Sequence, residues 1–137
     1  THREPVALAS LLTGIAFGNA GLGAVHGFAN PLGAAIHAPH GLICAVLLPP
    51  VCEFNLAVAD RKFAEVAHAM GLRSAAEAPG ALAALNHRLG IPADLRAAGL
   101  KKSMIPAVVA ASRSGSMAKN PRLPTDEELA ELLERVL

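Results

Sequence analysis

The chain has 137 residues, enough for one domain with a sizeable core and too few for two ordinary domains. Hydrophobic residues make up 53% of it but aromatic residues only 3%, and small apolar side chains of this kind favour closely packed helices over strands. The formal net charge of +1 excludes the strongly basic balance of an electrostatic nucleic-acid binder, so we expect no nucleic-acid partner.

The first third of the chain has no Asp, Glu, Lys or Arg between Glu4 and Glu53. Because a bilayer core takes about 20 apolar residues, a membrane span is one interpretation of this block. The block also contains three histidines, two asparagines and several prolines, and the chain has no Trp or Tyr for interfacial belts. We therefore predict the core of a soluble, cytoplasmic protein with no membrane partner. Its two cysteines, Cys44 and Cys52, are predicted to be buried thiols in a reducing compartment.

Hydrophobic patterning predicts three helices in this block, at about Val6–Phe17, Leu22–Ile36 and Gly41–Ala57. A glycine-containing run at 18–21 separates the first two, and Pro39 marks the turn before the third. Proline removes a backbone donor, so Pro31 should bend the second helix and the pair Pro49 and Pro50 should kink the third.

Clearer start and stop signals follow residue 53. Asp60 is a candidate cap for a helix that Gly71 closes, and Ser74 with Glu77 forms a possible capping box before a helix that Pro79 delays to residue 78. This helix is expected to pack through three leucines, and another helix is expected over 101–112. A second capping box, Thr125 with Glu128, precedes a last helix. The apolar stripe of the helix from residue 78 is Leu82, Leu85 and Leu89, and that of the last helix is Leu129, Leu132, Leu133 and Val136. No segment shows convincing period-2 alternation, so the predicted fold class is all-α, a helical bundle.

The run GLGAVHGFANPLGAAIHAPHG, at 21–41, contains three histidines in a stretch with no other ionisable group. Neutral imidazole is a common ligand for divalent metals, and glycines allow a metal or flat cofactor to approach a helix closely. His26 and Asn30 share one helical face, and His40 follows the Pro39 turn and can point back towards it. Two histidines do not complete a metal site, so spacing alone favours histidines that are hydrogen-bonded in a core.

The same run resembles the signature of the iron-containing alcohol dehydrogenase family, in which Val-His-Gly-x-Ala is followed by Leu-Gly and then Pro-His-Gly. The matching segments are VHGFANPLG, APHG and CAVLLPPVCEFN. Agreement extends upstream over ASLLTGIAFGNAGLG and downstream over LNHRLGIPADLRAAGL and KNPRLPTDEELAELL, and so covers nearly the whole chain in the family's order.

The resemblance implies that residues 1–137 form the family's single helical, metal-binding C-terminal domain, with the N-terminal NAD(P)-binding domain absent. A divalent metal, Fe²⁺ or Zn²⁺, would lie between the two domains, held by one Asp and three His. His26 and His40 match the last two histidines of that set. The other two ligands would lie upstream of Thr1, so we expect the isolated chain to bind metal weakly and to be inactive.

The implied reaction is metal-assisted hydride transfer between a small alcohol or aldehyde and NAD(P). Many members carry a second histidine four residues after the first, and Asn30 occupies that place here. An amide cannot titrate near neutral pH, so a proton relay would use His37, solvent or an upstream group. Asn30 and His37 are therefore the candidate catalytic residues of this chain. A homo-oligomer, at least a dimer, is expected because an apolar face would be exposed without the other domain.

Two other functions remain open. A maleylacetate reductase shares the fold, although the run PLGAAIHAPHG is more similar to the alcohol dehydrogenases, and the chain could instead be a non-catalytic helical oligomerisation module. Among the remaining polar residues, His68 and His87 are predicted to be solvated. Structural roles are favoured for Asn55, Asn120 and Arg122.

Overall fold

A computed structural model describes residues 2–137, and within that range it contains six α-helices and no strand. The helices are α1 Arg3–Ala20, α2 Ala24–Ile36, α3 His40–Ala69, α4 Ala78–Arg88, α5 Ile105–Ala111 and α6 Asp126–Glu134. Short 3-10 turns at Ala75–Glu77, Lys102–Met104 and Met117–Lys119 precede or separate them. The all-α fold class predicted from the sequence is confirmed.

Helix α1 projects from the rest of the chain, and none of its residues is buried. The helix extends past the predicted break to Ala20, and Gly21 ends it with a φ of +79° that favours glycine. The axes of α1 and α2 differ by 99°. Several large apolar side chains of α1 are exposed: Val6, Leu8, Leu11, Leu12, Ile15 and Phe17.

The core lies between α2, α3, α5 and α6. Its fully buried side chains include Phe28 and Leu32 from α2, Ile43 and Leu47 from α3, and Leu129 and Leu133 from α6. The predicted apolar stripe of the last helix is confirmed, because all four of its members are buried. These side chains fix α2 against the first half of α3, which is the contact that forms the site described below.

Both capping signals of α6 are present as predicted. The Thr125 side chain accepts from the backbone N–H of Glu128, and the Glu128 carboxylate accepts from the backbone N–H of Thr125. Glu128 also pairs with Arg122 at 2.6 Å, and the Arg122 guanidinium lies 3.8 Å from the ring centroid of Phe54. The Thr125 hydrogen bond, and then the Arg122 contact, lower the pKa of Glu128. Arg122 thus connects α6 to α3, consistent with the structural role expected for it.

The sequence predicts a kink at Pro49 and Pro50, and the structure shows no break in helical geometry at either residue. Helix α3 continues through both prolines, and its one non-helical residue is Ala59, with φ −130° and ψ 24°. Pro49 cannot donate to the carbonyl of Ala45, but Asn86 Nδ2 of α4 donates to that oxygen at 2.7 Å. A side chain from the neighbouring helix therefore replaces the missing backbone bond. The helix boundary predicted at Asp60 is confirmed, because the backbone kinks at Ala59 and two helical segments of α3 meet there.

The packing predicted for α4 needs two corrections. Ser74 makes no capping bond to the backbone; its Oγ donates to the Glu77 carboxylate at 3.5 Å, and Glu77 also pairs with Arg73 at 3.3 Å. Helix α4 does begin at residue 78, but Leu85 and Leu89 of its predicted stripe are exposed. The hydrogen bond from Asn86 to α3 fixes the orientation of α4. The side of α4 that carries Ala78 and Asn86 faces α3, and Leu85 and Leu89 face away from it.

The bounds of one further helix differ from those that the sequence predicts. The helix predicted over 101–112 begins as a 3-10 turn, and α5 proper covers Ile105–Ala111.

By length and hydropathy α3 could cross a membrane, although 39% of its most apolar window is buried against the rest of the chain. Helices α1 and α2 meet that criterion only as a bent pair. The absence of a membrane partner stays a prediction.

A buried pair of amides joins three segments of the chain. Asn120 Nδ2 donates to Asn55 Oδ1 at 2.8 Å, and Asn55 Nδ2 donates back to Asn120 Oδ1 at 3.2 Å. Asn120 Oδ1 also accepts from the backbone N–H of Ala24 at 3.0 Å, and Asn120 Nδ2 donates to the carbonyl of Arg122 at 2.7 Å. The network connects the start of α2, the middle of α3 and the loop before α6, as structural roles for both asparagines require.

We predict that Asn120→Ala lowers the free energy of unfolding by about 3 kcal/mol, because it leaves several buried polar groups without partners. Chemical denaturation followed by circular dichroism at the helical band measures this change. Asn19→Ala is the matched control, since Asn19 is exposed and bonds only to Ile15 of its own helix. Equal stability of the two variants would show that the amide pair is not an anchor.

Candidate metal centre

His26 lies in the first turn of α2, and the start of that helix is fixed by Asn120. A Cβ on Gly23 would lie 2.9 Å from Asn120 Oδ1, so glycine lets the amide approach the helix end. Gly27 has a similar role, because a Cβ there would lie 2.8 Å from Cε of Met117. Gly23 and Gly27, two of the glycines expected to give room to a metal or cofactor, thus provide room for protein side chains. Gly23 and Gly27 therefore set the position of His26, which lies between them in the sequence.

His40 is the first residue of α3 and follows Pro39, which has an extended ψ of 132°. The predicted turn at Pro39 is confirmed, and the helix begins at His40, one residue before the predicted Gly41. Cys44 lies one helical turn after His40, so both side chains project from the same face of α3. That face is directed towards α2 and His26.

Three potential metal-binding side chains meet between these helices. The ligand atoms of His26, His40 and Cys44 all lie within 4.8 Å of one another. Cys44 Sγ is 3.4 Å from His40 Nε2 and 3.8 Å from His26 Nε2, and the two imidazole centroids are 5.3 Å apart. Imidazole and thiolate together are a donor set suited to borderline divalent metals such as zinc and iron.

The surroundings of His26 favour its neutral imidazole form. Partial burial lowers the pKa of His26, and the nearby His40 lowers it further because two positive charges would repel. A neutral ring keeps the lone pair that binds a metal. Burial raises the pKa of Cys44, so in the absence of an ion the thiol form is favoured.

An apolar cavity of about 540 Å³ adjoins the cluster. His26 and Cys44 form part of its wall, and the rest comes mainly from α3 and the start of α2, with Leu82 from α4. Its apolar lining includes Val25, Leu48, Val51, Phe63, Val66 and Leu82. A mostly apolar cavity beside two histidines fits a small organic molecule with one polar end.

The other two candidate residues lie outside the three-residue cluster. Asn30 is exposed on α2, one turn after His26. His37 caps the C-terminus of α2 in a left-handed conformation, with φ 52°, and its backbone N–H donates to Gly33. Its side chain is exposed. Catalytic roles for Asn30 and His37 stay predictions.

The sequence-based interpretation missed Cys44 as a member of the site. It grouped Cys44 with Cys52 as buried thiols, whereas only Cys52 is fully buried, at 4% exposure, and Cys44 is half-buried against the histidines. The i, i+4 spacing of His40 and Cys44 was the available signal. The chain therefore brings three candidate donors together rather than the two expected. His68 and His87 are exposed, as predicted.

Comparison with known proteins finds a family match over the whole chain. The model of the Fe-containing alcohol dehydrogenase family, C-terminal, matches residues 1–137. The chain is 40% identical to the 1,3-propanediol dehydrogenase of Citrobacter freundii, with 97% of this chain and 37% of the relative covered. It is also 40% identical to the lactaldehyde reductase of Escherichia coli K12, with 94% and 36% covered.

Solved structures agree with the fold. A crystal structure of a 1,3-propanediol oxidoreductase superposes with a TM-score of 0.90 at 38% identity, covering 94% of this chain and 36% of that one. The chain thus spans little more than a third of the length of the proteins it matches. The sequence signature, the all-helical fold and the full-length family match lead to one conclusion: this chain belongs to the iron-containing alcohol dehydrogenase family, over the C-terminal domain of its members.

Proposed function

We propose that this chain supplies the helical half of the metal centre of a cytoplasmic, NAD(P)-linked alcohol dehydrogenase. The observation that carries the proposal is the convergence of His26 and His40 from separate helices, with their ligand atoms within 4.8 Å. Histidines that merely satisfied hydrogen bonds in a core would not need to meet at one point. Family membership over residues 1–137 supports the same reaction class.

The donor set fits a divalent metal such as Fe²⁺ or Zn²⁺. When bound, the metal supplies Lewis-acid polarisation of an alcohol or carbonyl oxygen, and the nicotinamide of NAD(P) supplies or accepts the hydride. His26 and His40 hold their rings towards a common point, and Asn120 fixes the helix end that carries His26. The remaining protein ligands and the nucleotide site belong to another part of the enzyme.

We propose a small alcohol or aldehyde as substrate, the class that the names of the two relatives indicate. The apolar lining of the adjoining cavity would receive the carbon chain and exclude water, which leaves the oxygen directed to the histidines. Asn30 offers hydrogen bonds but no titratable proton, and His37 is the proposed route for a proton between the rim of the site and solvent.

A non-catalytic helical module is the second candidate function, and the exposure of α1 favours it. A helix with no buried residue and many exposed apolar side chains is unlike an ordinary surface helix of a monomer. In the enzyme, the same surface would be covered by another domain or by a second copy. We propose a homo-oligomer in either case.

Replacing either histidine should disrupt the metal centre. We predict that His26→Ala and His40→Ala each weaken Zn²⁺ binding by the 137-residue chain more than about 100-fold, because even residues that only support a ligand contribute about 10–100-fold. Isothermal titration calorimetry measures the affinity. With three donors present, the chain should bind Zn²⁺ more tightly than two donors would allow.

His68→Ala is the matched control for this experiment, since His68 is an exposed histidine of the same α3 helix. Its affinity for Zn²⁺ should equal that of the unchanged chain. The metal-centre assignment fails if His68→Ala weakens binding as much as His26→Ala does, or if neither site histidine matters.

The isolated chain should not bind NADH. Residues 2–137 contain no strand, and a pyrophosphate cradle of the usual dinucleotide-binding type requires a strand followed by a glycine-rich loop and a helix. Titration of NADH with the chain should therefore leave the fluorescence of the nicotinamide unchanged. Saturable enhancement would contradict the assignment of the nucleotide site to another part of the enzyme.

A further inference from the structure

We propose that Cys44 is a third protein ligand at the metal centre, so that this chain by itself offers a His₂Cys donor set for a thiophilic divalent ion such as Zn²⁺ or Co²⁺. The proposal rests on the proposed function, because it assigns a further residue to the same centre. Neither the family signature nor its ligand set of one Asp and three His requires a cysteine there.

The distances between donor atoms agree with this role. In a tetrahedral site with Zn–S of about 2.3 Å and Zn–N of about 2.0–2.1 Å, a sulfur and a nitrogen ligand lie about 3.6 Å apart. Cys44 Sγ lies 3.4 Å and 3.8 Å from the Nε2 atoms of His40 and His26, on either side of that value. Small rotations of the side chains would therefore place all three donors on one ion.

The local structure holds the three donors in place. His40 and Cys44 are one turn apart on the uninterrupted first part of α3, which makes them a natural chelating pair. His26 approaches from α2, whose N-terminus is bound to Asn120. Two donors from one rigid helix and one from another give a site that is largely formed before an ion binds, and this reduces the entropy lost on binding.

The sulfur donor changes which ions the site prefers. Thiolate is a soft ligand that favours zinc and cobalt over magnesium, calcium or manganese. On binding, the S–H bond of Cys44 breaks, a sulfur–metal bond forms and the proton passes to solvent. A thiol–imidazole hydrogen bond would explain the same contacts without an ion, and it predicts no sulfur–metal bond.

Cobalt spectroscopy separates these two accounts. We expect Co²⁺ titrated into the reduced 137-residue chain to produce a near-ultraviolet thiolate-to-cobalt charge-transfer band that saturates at one equivalent. Cys44→Ala should abolish the band and weaken Co²⁺ binding at least about 10-fold. The matched control is Cys52→Ala, which removes the buried cysteine of the same helix and cavity and should keep the band. Circular dichroism verifies that each variant is folded.

The outcomes distinguish this inference from the proposed function. Calorimetric Co²⁺ binding that depends on His26 and His40 but gives no charge-transfer band overturns the role of Cys44 and leaves the metal centre intact. A band that persists in Cys44→Ala also overturns it. Absence of both the band and histidine-dependent binding would overturn the inference and the proposed function together.

Discussion

The interaction on which the site depends is the buried amide pair of Asn55 and Asn120. Asn120 Oδ1 accepts a hydrogen bond from the backbone N–H of Ala24, the first residue of α2. This bond fixes the N-terminus of α2 two residues before His26. Asn55 belongs to α3, the helix that also carries His40 and Cys44. Because buried amides are costly to leave unpaired, the pair fixes the relative position of the two helices that supply the candidate ligands.

The continuity of α3 is the second requirement. His40, Cys44 and Asn55 occupy one helix only because the chain stays helical through Pro49 and Pro50. Asn86 of α4 donates to the carbonyl that Pro49 leaves without a partner, so the neighbouring helix stabilises a segment that local propensity would break. The position of the candidate ligands relative to the buried amide network therefore depends on α4 as well as on α2 and α3.

Two surface features of the chain are apolar. Helix α1 is entirely exposed although it is apolar, and the three donors lie beside an open apolar cavity rather than inside a closed core. The two relatives are nearly three times as long as the chain, since it covers 37% of one and 36% of the other. An exposed apolar surface of this size is typical of an interaction site.

The sequence by itself determined the all-α class, the family, the capping box of α6 and the two histidines, because these depend on local patterns of a few residues. Tertiary structure decided the rest. The rotation of α4, the continuity of α3 and the use of Gly23 and Gly27 as packing space all follow from contacts between residues far apart in the chain. Cys44 illustrates the difference: its spacing from His40 is local, but its proximity to His26 exists only once α2 packs on α3.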